Sequence, residues 1–216
     1  ASDLTSVSGG IFGTTWTVKM VGEAPDVTSL SQDLDRRLQL LDGALSTYRD
    51  DSELMRLNRA GPGEWVEVSP DLHDVLALSK RIHNASDGAF DPTVGALVRA
   101  WGFGPDARPS VAPDVAGLMR TVGFDALDLH PTKRAVRWSR AGIQLDLSAV
   151  AKGYAVDNLA ALLDAAGASR YMVEIGGEIR VQGDGPVGTA WRIGVESPQS
   201  GTARKPALAV ALRDAA

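Results

Sequence analysis

Two periods of apolar residues alternate along the chain. From Thr14 to Met20, Trp16, Val18 and Met20 alternate with polar neighbours, the period of a strand with one face buried. Leu30, Leu34, Leu38, Leu41 and Leu45 then form one stripe of a helix, with Asp35, Arg36 and Arg37 off it. A short helix is expected over 53–59, a turn at Gly61-Pro62-Gly63, and a brief strand at Trp65, Val66 and Val68. Ser69-Pro70 combines an N-cap with proline at the first helical position, and predicts a helix to Asn84 with Leu72, Val75, Leu76 and Ile82 inward. Asp87-Gly88 turns the chain.

Further on, helices are expected over 94–101 and 114–121, separated by a Gly- and Pro-rich loop at 102–113. Leu127 and Leu129, then Val136 and Trp138, predict a hairpin around Pro131-Thr132-Lys133. At 143–147 the period is again that of a strand, with Ile143, Leu145 and Leu147 as the apolar set. It then changes: Ala155, Leu159, Leu162, Leu163 and Ala166 share a helical face that Gly167 ends. Residues 171–175, 178–183, 191–195 and 208–212 read as strands. Strands and helices mix without strict βαβ alternation, so the expected fold class is α+β, in a single domain over 1–216.

The period change places Asp146 and Lys152 at a strand–turn–helix junction. A helix N-terminus presents unpaired N–H groups and a partial positive charge, which attract phosphate and disfavour a lysine unless an anion or carboxylate offsets it. Two readings stand: a bound anion near Lys152, or Asp146 as a turn or capping residue. Other segments carry a similar pair of readings. Phe12-Gly13, ahead of the first expected strand, suits ring stacking or a buried aromatic. Tyr48 offers a ring face and a hydroxyl, or anchors a helix end. Asp91, held extended before Pro92, is placed to reach Thr93 as a cap. Gly176-Gly177 suits close approach of a ligand or a hairpin turn.

Composition excludes several classes. The chain has 216 residues, a hydrophobic fraction of 44% and net charge −5, the profile of an ordinary folded protein. No basic cluster points to nucleic acid, and no apolar run is long enough to span a membrane. With no cysteine, thiolate catalysis and zinc–sulfur sites are out. His73, His83 and His130 have no metal spacing and read as surface or internally satisfied histidines. There is no phosphate-binding loop ending in Gly-Lys-Ser or Gly-Lys-Thr, so Lys152-Gly153 is not part of one.

Five blocks in order, FGTTW (12–16), LSTYRDDSELMRLN (45–58), DGAFDPTVGALVRAWGF (87–103), LDLSAVAKGYAVD (145–157) and VEIGGEIRVQG (173–183), followed by WRIGVESP (191–198), resemble the bacterial FAD:protein FMN transferase family, formerly called thiamine-biosynthesis lipoproteins. The resemblance implies an α+β flavin transferase-like fold related to the T-fold. It implies an enzyme that uses FAD and Mg²⁺, transfers FMN to a threonine or serine hydroxyl of an acceptor protein and releases AMP; some members instead hydrolyse FAD. Carried over position by position, Phe12, Tyr48, Ala89, Phe90, Asp91, Asp146 and Lys152 would contact FAD, and the backbone carbonyl of Ala149 would meet the metal. No residue is assigned as catalytic. The resemblance also implies a periplasmic location or the outer face of the cell membrane. Blocks resembling S-H-I-I-D-P and D-A-x-A-T, which carry further metal ligands in the family, do not occur in 1–216, so the chain reads as C-terminally incomplete. A non-catalytic flavin-binding module is the competing class.

Overall fold

The computed structural model of the chain describes residues 3–22, 26–103, 111–197 and 206–216. In chain order the first elements are β1 (Leu4–Ile11), β2 (Thr14–Val21), α1 (Val27–Leu45), α2 (Glu53–Arg59), β3 (Val66–Glu67), α3 (Pro70–Ala85), α4 (Gly95–Ala100) and α5 (Val115–Met119). A 3₁₀ turn at Phe124–Ala126 leads to β4 (Leu127–Leu129) and β5 (Ala135–Trp138). The remainder comprises α6 (Ser148–Ala165), β6 (Tyr171–Ile175), β7 (Glu178–Gln182), β8 (Trp191–Glu196) and β9 (Pro206–Leu212). The fold is α+β, as expected. Part of the Gly- and Pro-rich loop expected at 102–113, and Pro198 of the WRIGVESP block, lie outside the described residues.

Contacts divide the chain into two compact units, one running to Leu38 and resuming at Ala155, the other Gln39–Tyr154. The first holds an antiparallel sheet in the order β1-β2-β6-β7 and the hairpin β8-β9. Its inner face is the alternation read from the sequence: Trp16 lies opposite Ile175, Val18 opposite Val173 and Met20 opposite Tyr171, all buried. Val21, Val181 and Trp191 form a cluster with Met172, Ile179, Ile193 and Leu212, which packs the β8-β9 hairpin on the sheet. Arg37 grips the Asn158 side-chain oxygen with Nε and Nη2, at 3.0 and 2.6 Å, and so ties α1 to α6 within this unit.

Strand β1 is a correction: β2, expected to be the first strand, is the second. The stretch Ser6-Val7-Ser8-Gly9-Gly10 has no apolar alternation, because β1 is an edge strand whose pairing with β2 is set by backbone. Gly9 faces Trp16, and a Cβ there would fall 2.6 Å from the indole Nε1. A small residue is what lets the large ring sit across the strand pair.

The second unit holds the sheet β3-β5-β4 beside the short helices. Ser69 caps α3 as predicted, its Oγ accepting from Leu72 N at 3.3 Å. The buried face of α3 is Leu72, Val75, Leu76 and Ser79, while Ile82 is 36% exposed. Ile82 is displaced about 80° around the helix from Leu72, at the rim of the stripe. Residues 143–147 are a second correction. They are extended and bury Ile143, Leu145 and Leu147, but they join no sheet; Gln144 makes one parallel bridge to Val94. On α6 the expected face is partly shifted: Ala155, Leu159 and Leu163 are buried with Val156 and Ala160, whereas Leu162 is half-buried and Ala166 exposed. Gly167 closes the helix at φ 81°, with its N–H on Asp164 O and Ala168 N–H on Leu163 O, both at 3.0 Å, the Schellman arrangement.

Tyr171 is fully buried, and its hydroxyl donates to Asp164 Oδ1 at 2.8 Å. Burial, and then the adjacent carboxylate, push its pKa above the ordinary tyrosine value. Because the folded value lies above the unfolded one, this contribution to stability is whole below about pH 10 and is lost as pH rises through the folded value. We predict that melting temperature falls above about pH 10, and that Tyr171→Phe flattens this alkaline limb. An identical limb in both proteins would contradict it.

Candidate functional site

Within the Gln39–Tyr154 unit the turn that leads into α4, residues 92–95, runs beside the extended segment 144–146. Gly95 N donates to Gln144 O at 3.0 Å and Asp146 N donates to Pro92 O at 2.8 Å. Gly95 is required by this approach: a Cβ there would lie 2.7 Å from Gln144 O and 2.9 Å from Leu145 O, both backbone atoms. From the other side Asn58, in the last turn of α2, accepts from Leu145 N at 2.8 Å through Oδ1 and donates to Leu145 O at 3.0 Å through Nδ2. The A-F-D turn and the Asp146 turn, 55 residues apart in sequence (146 less 91), are thereby brought together.

Asp91 is the latch of its own turn. Its Oδ1 accepts from Thr93 N at 2.8 Å and Thr93 Oγ1 at 2.5 Å, and its Oδ2 from Phe124 N at 3.1 Å. Thr93 Oγ1, fully buried, accepts in turn from Gly123 N at 2.7 Å. His83 completes the turn with Nδ1 2.8 Å from Phe90 O and 3.8 Å from Asp91 Oδ2, its ring edge-on to Phe124. It is therefore an internally satisfied histidine, as expected. These bonds leave Ala89 exposed and Phe90 half-buried at the outside of the turn.

Asp146 caps the start of α6. Its Oδ1 accepts from Ser148 N at 2.8 Å and from Ser148 Oγ, so the capping reading of this residue holds. Oδ2 makes no hydrogen bond to a described residue. The carboxylate also offsets the positive helix end. Lys152 falls just after the first turn, half-buried and engaged in an interaction of its own. Ala149, the second residue of α6, is exposed.

Tyr48 follows α1 and is 52% exposed, so it does not anchor the helix end; its N donates to Ser46 Oγ at 3.1 Å. Beside it, Arg49 grips Asp51 with Nε and Nη2 at 3.0 and 2.9 Å, and holds that carboxyl below the usual carboxylate range. Phe12 belongs to the other unit. It is half-buried, not a core aromatic, and sits at φ 50° beside Gly13 at φ 71° in the two-residue turn joining β1 to β2. Two positive φ values make a tight hairpin turn that suits the strand twist, and a bulky residue is uncommon at such a position. Gly176-Gly177 form the equivalent turn between β6 and β7, at the same end of the sheet, with Gly176 N on Thr15 O at 3.1 Å. The hairpin reading of that pair is the one seen.

Among the described residues no three His, Cys, Asp or Glu side chains gather as a metal site, and no helix is long and apolar enough to cross a membrane. Sequence reasoning missed Asn58 and Gly95. An asparagine closing a short helix beside the buried Leu54 and Leu57, and a glycine opening one, are the signals that point to them.

The ApbE family matches residues 12–216. FAD:protein FMN transferase of Haemophilus influenzae is 38% identical over 203 residues, covering 89% of this chain and 58% of that protein. FAD:protein FMN transferase of Vibrio cholerae is 39% identical over 196 residues, covering 89% and 58%. The solved flavin transferase ApbE from Vibrio cholerae superposes with a TM-score of 0.89 at 34% identity, over 99% of this chain and 70% of that one. The chain thus spans 58% of the length of these curated relatives.

Gly95→Ala is predicted to cost about 1–3 kcal/mol, because neither facing carbonyl can retreat without breaking the pairing of the two segments. Urea unfolding measures it, and a variant as stable as the parent would refute the close approach.

Proposed function

This chain belongs to the ApbE family, and on that premise we propose that its protein transfers FMN from FAD to a threonine or serine hydroxyl of an acceptor protein. The observation that carries the reading is the Asp146 N to Pro92 O bond at 2.8 Å, which puts the A-F-D turn beside the Asp146 turn. Tyr48, Ala89, Phe90, Asp91, Asp146 and Lys152 are the FAD-contacting positions of this unit. In this reading the exposed ring of Tyr48 and the half-buried ring of Phe90 supply stacking surface. Asp91 acts by shaping its turn, since both its oxygens are bonded internally.

The reaction needs alignment more than covalent catalysis. The acceptor hydroxyl oxygen forms a bond to the phosphorus of the FMN half, the bond from that phosphorus to the bridging oxygen breaks, AMP leaves, and the hydroxyl proton passes to solvent. Asp146 and Lys152 orient the dinucleotide; neither is a general base. Mg²⁺ is a separate question. Ala149 is the position this reading gives the metal, but one carbonyl falls short of the near-octahedral oxygen shell the ion demands. Among the described residues no three His, Cys, Asp or Glu side chains gather to complete it. The described residues do not by themselves fit the ion, and no step is routed through it. The periplasm, or the outer face of the cell membrane, is the proposed location.

The test uses the complete protein with FAD, Mg²⁺ and a peptide bearing one acceptor threonine. Mass gain of FMN on the peptide with equimolar AMP is the expected result. FMN and AMP in solution with an unmodified peptide would replace transfer by hydrolysis, and FAD retained intact would leave a flavin-binding module.

A further inference from the structure

We infer that Asn58 is a positioning residue of the flavin site, setting the Asp146 turn through a two-point grip on the Leu145 backbone. The inference rests on the reading of Asp146 as an FAD contact. An amide side chain carries one acceptor and one pair of donors, and here both kinds meet one residue: Oδ1 takes the Leu145 N–H at 2.8 Å and Nδ2 gives to the Leu145 carbonyl at 3.0 Å. Asn58 thus does for residues 143–147 what a neighbouring strand would do in a sheet, at the point where they lack one.

The grip has a firm base. Leu54 and Leu57 on α2 are fully buried, and Trp138 Nε1 donates to Leu57 O at 3.0 Å, which fixes the end of the helix that carries Asn58. On the far side of Leu145, the next residue is locked by Asp146 N on Pro92 O. Leu145 is itself buried to 1% exposure, so water is poorly placed to replace the lost partner. Rotation of the Leu145 peptide would move the Asp146 carboxylate and the start of α6 together. The amide is specific. A carboxylate of the same shape would keep the bond to Leu145 N–H and set an oxygen against the Leu145 carbonyl, where a donor is needed.

Asn58→Ala in the complete protein tests this against Ser69→Ala, which removes the cap of α3 and touches no residue of the site. The readouts are FAD affinity by fluorescence quenching, hydrogen exchange at the Leu145 and Asp146 amides, and melting temperature. We expect Asn58→Ala to weaken FAD binding about tenfold and to speed exchange at both amides by at least as much. Ser69→Ala should lower the melting temperature and leave both unchanged. If Asn58→Ala does not fold, Asn58→Asp replaces it with the same expectation. FAD affinity equal to the parent's in the Asn58 variant, or equally weakened in Ser69→Ala, overturns the inference. A parent that binds no FAD overturns the flavin reading itself, and the inference with it.

Discussion

The unit that carries the candidate site depends on one close approach of two backbones, 92–95 against 144–146. Neither segment lies in a sheet of the described residues, so the polar groups of this buried backbone must find partners elsewhere. Three devices supply them: the absent side chain of Gly95, the amide of Asn58 and the bond between Asp146 and Pro92. The consequence is a pair of turns, each closed by its own aspartate, set side by side. Asp91 spends both oxygens on its turn, whereas Asp146 spends one on the cap of α6. Identical residue types therefore have different bonding: Asp91 uses both oxygens within its turn, Asp146 uses Oδ1 on Ser148.

The other unit is built differently, on an antiparallel sheet. Two tight hairpin turns, Phe12-Gly13 and Gly176-Gly177, lie at one end of the sheet β1-β2-β6-β7. Three of these four positions are glycine, which tolerates positive φ freely. Phe12 is the exception, a large ring held where the backbone disfavours it. The turn itself does not call for such a ring, since glycine or asparagine would make it at less cost.

Much of this was legible in the sequence, and the exceptions have physical reasons. Helices α1 and α3 and strands β2 and β6 each bury one face, so their periods stand out; the caps Ser69 and Gly167 followed from local backbone chemistry. Strand β1 did not stand out, because an edge strand held by backbone pairing and a glycine seat for Trp16 needs no apolar alternation. The alternation at 143–147 reported burial correctly and sheet membership wrongly, since extended segments bury side chains equally well when a side-chain amide replaces the neighbouring strand. In the site, the residues that repeat family blocks were visible as types. Their division of labour was not: that Asp91 is internally satisfied, that Tyr48 is exposed, and that Asn58 governs a residue 87 positions away all depend on tertiary contacts.

The most direct test of the central claim, that these turns form a flavin nucleotide site, is amide chemical-shift mapping of the protein titrated with FAD. The account predicts the largest changes at Tyr48, Ala89–Asp91 and Asp146–Lys152. Saturating FAD that leaves those amides unmoved, or moves only the β8-β9 hairpin, would contradict it.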